Sequence, residues 1–231
     1  MRLFAIPDIH GRLDLLNKLL KSLEEDHGLD LSVDKIVFTG DYCDRGADTY
    51  GVIERLKKLN EQYPENVVCL AGNHEYINIF YFTRRSEDDV WLFENNGGPE
   101  TLESYRLAGF NEMTQDHLKW LVDLPLKHEE PGFHFSHAPL PRESYRNILH
   151  RGQPYKHDDY IWTYHPDEPG VAADIPGIVQ VVGHVHALKK GIFTPRFYDH
   201  VIYGDAGCGC SPRAPLVAIE VKTRQVVYVY P

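Results

Sequence analysis

The order of apolar runs in the first third of the chain constrains the fold more than any other feature. Short apolar runs at 3–6, 35–39 and 67–71 alternate with two longer stretches, 13–23 and 48–62. In the longer stretches the apolar residues recur at intervals of three and four, which is the spacing of one helix face. The pattern predicts a β-α-β-α-β unit, and therefore a parallel sheet with helices on its faces.

The remainder of the chain divides into a helical part and a second group of strands. Residues 76–127 have a mostly helical pattern and many aromatic side chains, so we interpret them as a helical insertion or cap after the third strand. The polar stretch 142–176 is predicted to form long loops. No internal repeat, low-complexity tract or linker is visible, so residues 1–231 are predicted to form one domain. Further strands are predicted at 133–136, 178–182, 201–203, 216–221 and 226–230.

Charge and composition exclude some classes of partner. The chain has 231 residues, a net charge of -10 and a pI of about 5.7, whereas a nucleic-acid groove usually carries a basic surplus. No apolar run is long enough to predict a membrane span, and the apolar start of the chain is too short for a signal peptide. The cysteines lack zinc-site spacing, and Cys208 and Cys210 are interpreted as small residues in a tight turn. We therefore expect a cytoplasmic protein with reduced thiols.

Polar motifs follow five of the predicted strands. The motifs are PDIHG at 7–11, GDYCDRG at 40–46, GNHE at 72–75, FSHA at 135–138 and GHVH at 183–186. Because ligands of open parallel sheets bind beyond the carboxyl ends of the strands, we expect the motifs to converge on one site. They offer carboxylate, imidazole and amide ligands, which suit divalent Mn, Fe or Zn. One carboxylate between two such ions would hold them about 3.5–4 Å apart.

In this order the motifs resemble the metal and phosphate motifs of the metal-dependent phosphoprotein phosphatases, which belong to the calcineurin-like metallophosphoesterases. NNGGPETLESY and HLKWLVDLP are similar to the segment that follows GNHE in bacterial and bacteriophage serine/threonine protein phosphatases, and IYGDAGCGC resembles their closing strand and turn. The resemblance implies an α/β fold, a calcineurin-like β-sandwich flanked by helices with a helical insertion after the third strand.

The resemblance also implies a ligand set for two divalent metal ions, with Mn favoured and Fe or Zn as alternatives. Asp41 would bridge the two ions, and His186 is a further candidate ligand beside the second ion. The implied ligands are Asp8 and His10 for the first ion, Asn73, His137 and His184 for the second, and Asp41 for both.

Three further residues would perform the chemistry that the resemblance implies. Phosphoryl transfer needs an in-line nucleophile, neutralised phosphate oxygens and a protonated leaving group. A hydroxide held between two divalent ions is a strong nucleophile at neutral pH. Arg45 would bind two phosphate oxygens with its planar guanidinium. His74 would be the general acid, and Asp44 would fix its tautomer.

The chain departs from the family pattern at three places. Proline replaces the first glycine of the first motif, and SHA stands where many members have HGG. IWTYHP, with Tyr164 and His165, occupies the place where bacterial members often have WxR, whose arginine binds phosphate. The second phosphate-binding arginine is therefore unassigned. Candidates for it are Arg84, Arg85, Arg142, Arg146, Arg151 and Arg213.

Three functions are compatible with these motifs. The first is a serine/threonine protein phosphatase-like phosphomonoesterase acting on a phosphorylated protein or a small phosphoester. The second is a symmetric diadenosine tetraphosphate hydrolase, but those enzymes usually read GDLVNRG or GDLVARG and then GNHD, whereas this chain has Asp44 and Glu75. The third is a non-catalytic scaffold, which usually loses ligands, whereas every motif position here is filled. The sequence favours the first function and leaves the oligomeric state open.

Overall fold

The computed structural model describes residues 1–151, 156–163, 171–186 and 191–231, with the side chains of 148–151 excepted. The described elements form two five-stranded sheets and eight α-helices. Within the described residues, no helix combines the length and the apolar character needed to cross a bilayer.

The first sheet contains the predicted parallel unit. Its strand order is β10-β9-β1-β2-β3, in which β1 (Leu3–Ile6), β2 (Lys35–Phe38) and β3 (Val67–Cys69) run parallel. Two later strands, β9 (Leu216–Glu220) and β10 (Gln225–Val229), extend the sheet antiparallel beyond β1. The prediction of a parallel β-α-β-α-β unit is confirmed.

Helices α1 (Leu13–Glu25) and α2 (Thr49–Gln62) connect these parallel strands. The buried face of α1 consists of leucines spaced by three and four residues, and these pack with apolar residues of the first sheet. Helix α2 begins after Asp48, whose side chain accepts a hydrogen bond from the backbone N–H of Gly51 at 2.8 Å. The two helices therefore begin directly after the first two polar motifs.

The second sheet has the strand order β4-β5-β6-β8-β7. Strands β5, β6 and β8 are parallel, and β4 and β7 are antiparallel edge strands. The strands are β4 (Lys127–Glu130), β5 (Phe133–Ser136), β6 (Val179–Val182), β7 (Arg196–Phe197) and β8 (Val201–Tyr203). A shared apolar layer joins the two sheets, with Val37 and Ile219 from the first and Phe135, Val181 and Ile202 from the second. The result is a β-sandwich flanked by helices.

Four helices lie between β3 and β4, as the pattern of residues 76–127 predicts. They are α3 (Asn73–Thr83), α4 (Glu87–Asn95), α5 (Gly98–Leu107) and α6 (Gln115–Asp123). Helix α3 begins within the third polar motif, and α5 begins at the NNGG turn. Phe93 of α4 stacks on Tyr81 of α3 with ring centroids 3.8 Å apart, so the aromatic residues of this part pack against one another.

The prediction of long loops over 142–176 is wrong for part of that stretch. The structure has helix α7 (Arg142–Arg151) and the short helix α8 (His157–Ile161) there. Two edge strands were also absent from the prediction, β4 and β7. All four elements are short or polar, so apolar periodicity gives little signal for them.

Candidate active site

The polar motifs converge on one cavity at the carboxyl ends of the central strands. The cavity has a volume of about 360 Å³. Residues of four of the five motifs line it, and His137 of the remaining motif lies beside Asp41, so the motifs meet as expected. The lining residues are Asp8, Asp41, Arg45, Asn73, His74, Asn96, Trp162, His184, His186 and Asp205.

Asp41 lies at the centre of the polar cluster, with histidines on both sides of its carboxylate. Its Oδ2 is 3.5 Å from Nε2 of His10 and 3.9 Å from Nε2 of His74. Its Oδ1 is 3.3 Å from Nε2 of His137. Ligand atoms of Asp41, His10 and His74 lie within 4.8 Å of one another, and so do those of Asp41, His137 and His184. Asp41 therefore belongs to two groups that have the size of metal sites.

Backbone carbonyls fix the orientation of two of these histidines. Nδ1 of His10 donates to the carbonyl oxygen of Cys43 at 2.8 Å, and Nδ1 of His137 donates to that of Thr39 at 2.8 Å. A carbonyl only accepts, so each Nδ1 carries a proton and each Nε2 faces the cluster around Asp41. Metal-binding histidines are usually held by this kind of hydrogen bond.

The remaining predicted ligands lie on the His137 side of the cluster. Nε2 of His137 and Oδ1 of Asn73 are 2.9 Å apart. The carboxylate of Asp8 accepts from the backbone N–H of His184, with Oδ1 at 3.0 Å and Oδ2 at 3.2 Å. The structure thus brings all six predicted ligands to one site, but it places His74 rather than Asp8 in the compact group with His10.

Burial and charge at the cluster favour a cation. Burial and the neighbouring Asp205 carboxylate hold the pKa of Asp8 well above its usual range. Burial also raises the pKa of Asp205. Burial works against ionisation of Asp41 too, but His137 and His74 outweigh it and keep the pKa of Asp41 well below its usual range. Divalent ions would offset the cost of these buried negative charges, so the donor set fits the two ions that the resemblance implies.

Arg45 connects the cluster to the predicted catalytic residues. Its Nη1 donates to Nε2 of His10 at 2.7 Å and also lies 2.7 Å from Sγ of Cys210. Its Nη2 donates to Nε2 of His74 at 2.9 Å. On the other side of the His74 ring, Nδ1 donates to Oδ2 of Asp44 at 2.7 Å. The structure therefore brings the three predicted catalytic residues together.

Several residues that shape the site have no role predicted from the sequence motifs. Glu75 is buried, and its carboxylate accepts from the backbone N–H groups of Asp41, Tyr42 and Gly72, each at 2.8 Å. It thereby ties the second motif to the third. Asp205 lies in IYGDAGCGC, the segment that resembles the family's closing turn, so that resemblance was the available signal.

Two more lining residues, Asn96 and Trp162, also had no predicted role. Asn96 follows α4 and Trp162 follows α8, and Trp162 is 40% exposed at the cavity. Their positions depend on how these helices pack, which the local sequence around each residue does not reveal.

Among the described residues, Arg45 is the one arginine that lines the cavity. Arg84 pairs with Asp89 at 2.7 Å, and Arg85 pairs with Glu112. The candidates Arg142, Arg146 and Arg213 are exposed and do not line the cavity either. Tyr164, His165 and the side chain of Arg151 lie outside the described residues.

A sandwich of two mixed sheets, with His and Asp side chains gathered at its strand ends, is the architecture of a metallophosphoesterase. Residues 1–188 match the calcineurin-like phosphoesterase family, and the chain belongs to that family.

One curated relative is named as a protein phosphatase. The chain is 28% identical over 147 residues to serine/threonine-protein phosphatase 1 of Salmonella typhimurium, a match that covers 62% of this chain and 61% of that protein. The chain spans less than two thirds of the curated relatives that it matches: 61% of the Salmonella typhimurium phosphatase, and 45% of an uncharacterized protein of Schizosaccharomyces pombe that is 31% identical over 158 residues, 62% of this chain.

Two solved structures share the fold and have titles that name different kinds of enzyme. A candidate diadenosine tetraphosphatase has a TM-score of 0.66 and 18% identity, with 99% of this chain and 93% of that chain covered. A protein serine/threonine phosphatase from Saccharomyces cerevisiae has a TM-score of 0.62 and 16% identity, with 100% and 79% covered. At these identities the likeness concerns the fold alone.

Proposed function

We propose that the protein is a dinuclear metal-dependent phosphomonoesterase of the serine/threonine protein phosphatase type, with Mn as the favoured metal. Its substrates would be phosphorylated proteins or small phosphoesters. The observation that carries this proposal is the environment of Asp41, whose two carboxylate oxygens lie next to different histidines and belong to two separate ligand groups. A carboxylate in that position suits the bridge of a two-metal hydrolase.

In this proposal His10, Asp41 and Asp8 hold one ion, and Asp41 is shared with the second. Three residues complete the second position, namely Asn73, His137 and His184. When bound, the two ions neutralise phosphate charge and activate a water molecule for attack. The protein contributes ligands whose imidazoles are already oriented by backbone carbonyls, which lowers the cost of ordering them on binding.

Arg45 would bind the phosphate, and its present contacts indicate how. Its guanidinium donates to the lone pairs on Nε2 of His10 and His74. Nε2 of His10 has a single lone pair, which can accept from Arg45 or bind a metal ion but not both. Metal binding at His10 and the Arg45 contact therefore exclude each other. Release of that contact would turn the planar fork toward the phosphate oxygens that enter the cavity.

His74 would protonate the leaving oxygen from Nε2, in the state in which both ring nitrogens carry a proton and Arg45 has released its contact with Nε2. Its Nδ1–H bond to Asp44 fixes the ring so that Nε2 faces the cavity. The group that leaves a phosphomonoester needs a proton from such an acid when it is a poor leaving group. Asp44 and Glu75 are also the two positions at which the motifs differ from the usual diadenosine tetraphosphate hydrolase pattern.

A symmetric diadenosine tetraphosphate hydrolase is the second candidate. The observation that favours it is the fold likeness to the candidate diadenosine tetraphosphatase, which extends over 99% of this chain. Both candidates use the same metal cluster, so the distinction lies in what binds beside it.

One competition assay separates the two. Protein loaded with Mn is given a phosphoserine peptide and diadenosine tetraphosphate together, and chromatography follows dephosphorylated peptide and ADP. We expect peptide turnover without ADP. ADP with an untouched peptide would overturn the proposal in favour of the nucleotide hydrolase. Neither product, in a preparation with full metal content, would point to the scaffold function.

A further inference from the structure

The carboxylate of Asp44 is completely buried and has partners besides His74. Nδ2 of Asn78 donates to both of its oxygens, at 2.9 and 3.0 Å. The hydroxyl of Thr101 donates to Oδ1 at 2.7 Å. We call Asn78 and Thr101 the Asp44 clasp.

Both clasp residues also hold the backbone of the His74–Asp44 pair. Nδ2 of Asn78 donates to the carbonyl oxygen of His74 at 2.9 Å. The hydroxyl of Thr101 accepts from the backbone N–H of Asp44 at 3.1 Å. Asp44 has φ 71°, a left-handed conformation that costs free energy and persists where the surroundings hold it in place. The contacts therefore fix the carboxylate in position and in rotation.

The clasp comes from two helices of the segment after β3. Asn78 lies four residues after His74 on α3, so the two share one face of that helix. Thr101 lies on α5, 57 positions from Asp44 in the chain. Just before α5, the carbonyl oxygen of Gly97 accepts from the backbone N–H of Arg45 at 3.1 Å. The α5 region thus holds both consecutive left-handed residues, Asp44 and Arg45.

Neither clasp residue is placed to touch a substrate. Asn78 and Thr101 are fully buried, and neither lines the cavity. Their contacts reach the cavity through Asp44 and, for Asn78, also through the backbone carbonyl of His74. A residue with such contacts can act only by orienting His74. Its substitution should therefore slow the reactions that depend on the orientation of His74.

We propose that Asn78 and Thr101 are positioning residues that orient the His74–Asp44 pair for proton donation to the leaving group. This inference rests on the proposed function, in which His74 is the general acid. It assigns the helices after β3 a role in the chemistry.

The test compares Thr101→Val, which removes the hydroxyl at nearly constant shape, with Thr101→Ser, which keeps it. For phenyl phosphate we expect Thr101→Val to lower kcat about tenfold with KM unchanged. A general acid typically accelerates a reaction by roughly 10²–10⁴-fold, and loss of its orientation should remove a part of that acceleration. For p-nitrophenyl phosphate, whose leaving group needs little protonation, we expect little loss. Thr101→Ser should keep the wild-type rate. The control is Thr83→Val, which removes a hydroxyl that donates to the carbonyl oxygen of Ile79.

A second readout does not depend on turnover. In metal-free protein labelled with ¹⁵N-histidine, the proton shared by Nδ1 of His74 and Asp44 gives an NMR resonance. We expect Thr101→Val to shift or broaden it, and Thr101→Ser to leave it in place. If Thr101→Val does not fold, Asn78→Ala is measured in the same two ways.

The outcomes separate the clasp from the proposed function. If Thr101→Val leaves the resonance unchanged, or lowers kcat equally for both esters, the positioning role is overturned. Turnover of the esters by the wild-type protein would in that case leave the proposed function intact. A wild-type protein that hydrolyses neither ester would overturn the proposed function, and with it the part of the clasp that concerns proton donation.

Discussion

Several of the residues that surround the cavity have backbone conformations that side chains other than glycine rarely adopt. His10, Asp41, Asp44, Arg45 and His184 all have φ between 46° and 71°. Each such residue costs of order 1–3 kcal/mol and persists only where the surroundings determine it. For Asp41, Asp44 and Arg45 these contacts come from Glu75, Thr101 and the residue before α5, Gly97. At the scale of single residues, the strained turns direct several polar side chains from different strands into one cavity.

Asp41→Asn tests the bridging role with little change of shape. Asparagine tolerates the left-handed conformation that Asp41 has, with φ 57°, so the turn should survive the change. We expect loss of bound metal and a fall in turnover of more than about 100-fold. Removing a residue that only hydrogen-bonds a metal ligand already lowers metal affinity or activity by about 10–100-fold. Elemental analysis and p-nitrophenyl phosphate turnover measure the two effects, with exposed Asp26→Asn as control. Full metal content together with full turnover would remove Asp41 from the bridge.

His74→Asn tests the general acid. The variant loses the ring that Asp44 orients but keeps a polar side chain at the start of α3. We expect esters with poor leaving groups to slow by about 10²–10⁴-fold, and p-nitrophenyl phosphate to slow far less. Steady-state rates over a series of aryl and alkyl phosphates give the dependence on the leaving group. Equal losses across the series would mean that His74 does not donate the proton, and would favour its inclusion in the His10–Asp41 group instead.

At the scale of elements, the sequence predicts the strands that have continuous apolar runs. The runs 3–6 and 201–203 have the bounds of β1 and β8, because buried strands have few polar residues. The strand predicted at 133–136 has the bounds of β5, FHFS, in which apolar and polar residues alternate. Strand β4, KHEE, has charged residues on an edge of the sheet, and its pairing with β5 through the backbone leaves no apolar signal. Helix α7, RESYRNILHR, is too polar for its periodicity to distinguish it from a loop.

The same limit applies to the site. The motif residues could be named because each follows a strand within a recognisable pattern. The partners that hold them could not, because contacts such as that of Thr101 with Asp44 join residues 57 positions apart. Such contacts depend on helix packing, which local patterns do not specify.

Gly97 offers a test of the contact between α5 and the phosphate-binding arginine. It has φ 93°, and a Cβ there would lie 2.6 Å from the backbone nitrogen of Arg45. Gly109 has nearly the same φ, 92°, with no atom within 4 Å of a Cβ. Alanine at either position should lower the free energy of unfolding by about 1–2 kcal/mol through the left-handed backbone. Gly97→Ala should lower it further, because the backbone of Arg45 must move away from the new Cβ.

Only Gly97→Ala should also impair substrate binding. We expect its KM for phosphate esters to rise about tenfold, since a displacement of about 1 Å at a positioned group can cost about 100-fold. Urea unfolding and steady-state kinetics measure the two properties, with Gly109→Ala as the matched control. A similar KM in both variants would show that Arg45 does not depend on α5.

At the scale of the whole molecule, the predicted ligands come from both sheets of the sandwich. Asp8, His10 and Asp41 follow strands β1 and β2 of the first sheet, whereas His137 and His184 follow β5 and β6 of the second. The apolar layer between the sheets ends near this edge, and buried carboxylates take its place. Two ions at this edge would join the sheets, in addition to activating a substrate.

Metal binding should therefore stabilise the fold as a whole. Binding to the folded state alone contributes about 2.7 kcal/mol at a free metal concentration of 100 times Kd. We expect Mn to raise the midpoint of urea unfolding of metal-free protein by a corresponding amount, and EDTA to reverse the change. Asp41→Asn should lose most of the effect and Asp26→Asn none. An equal increase in wild type and Asp41→Asn would place the stabilising ions elsewhere, whereas no increase at saturating Mn would contradict a metal-joined pair of sheets.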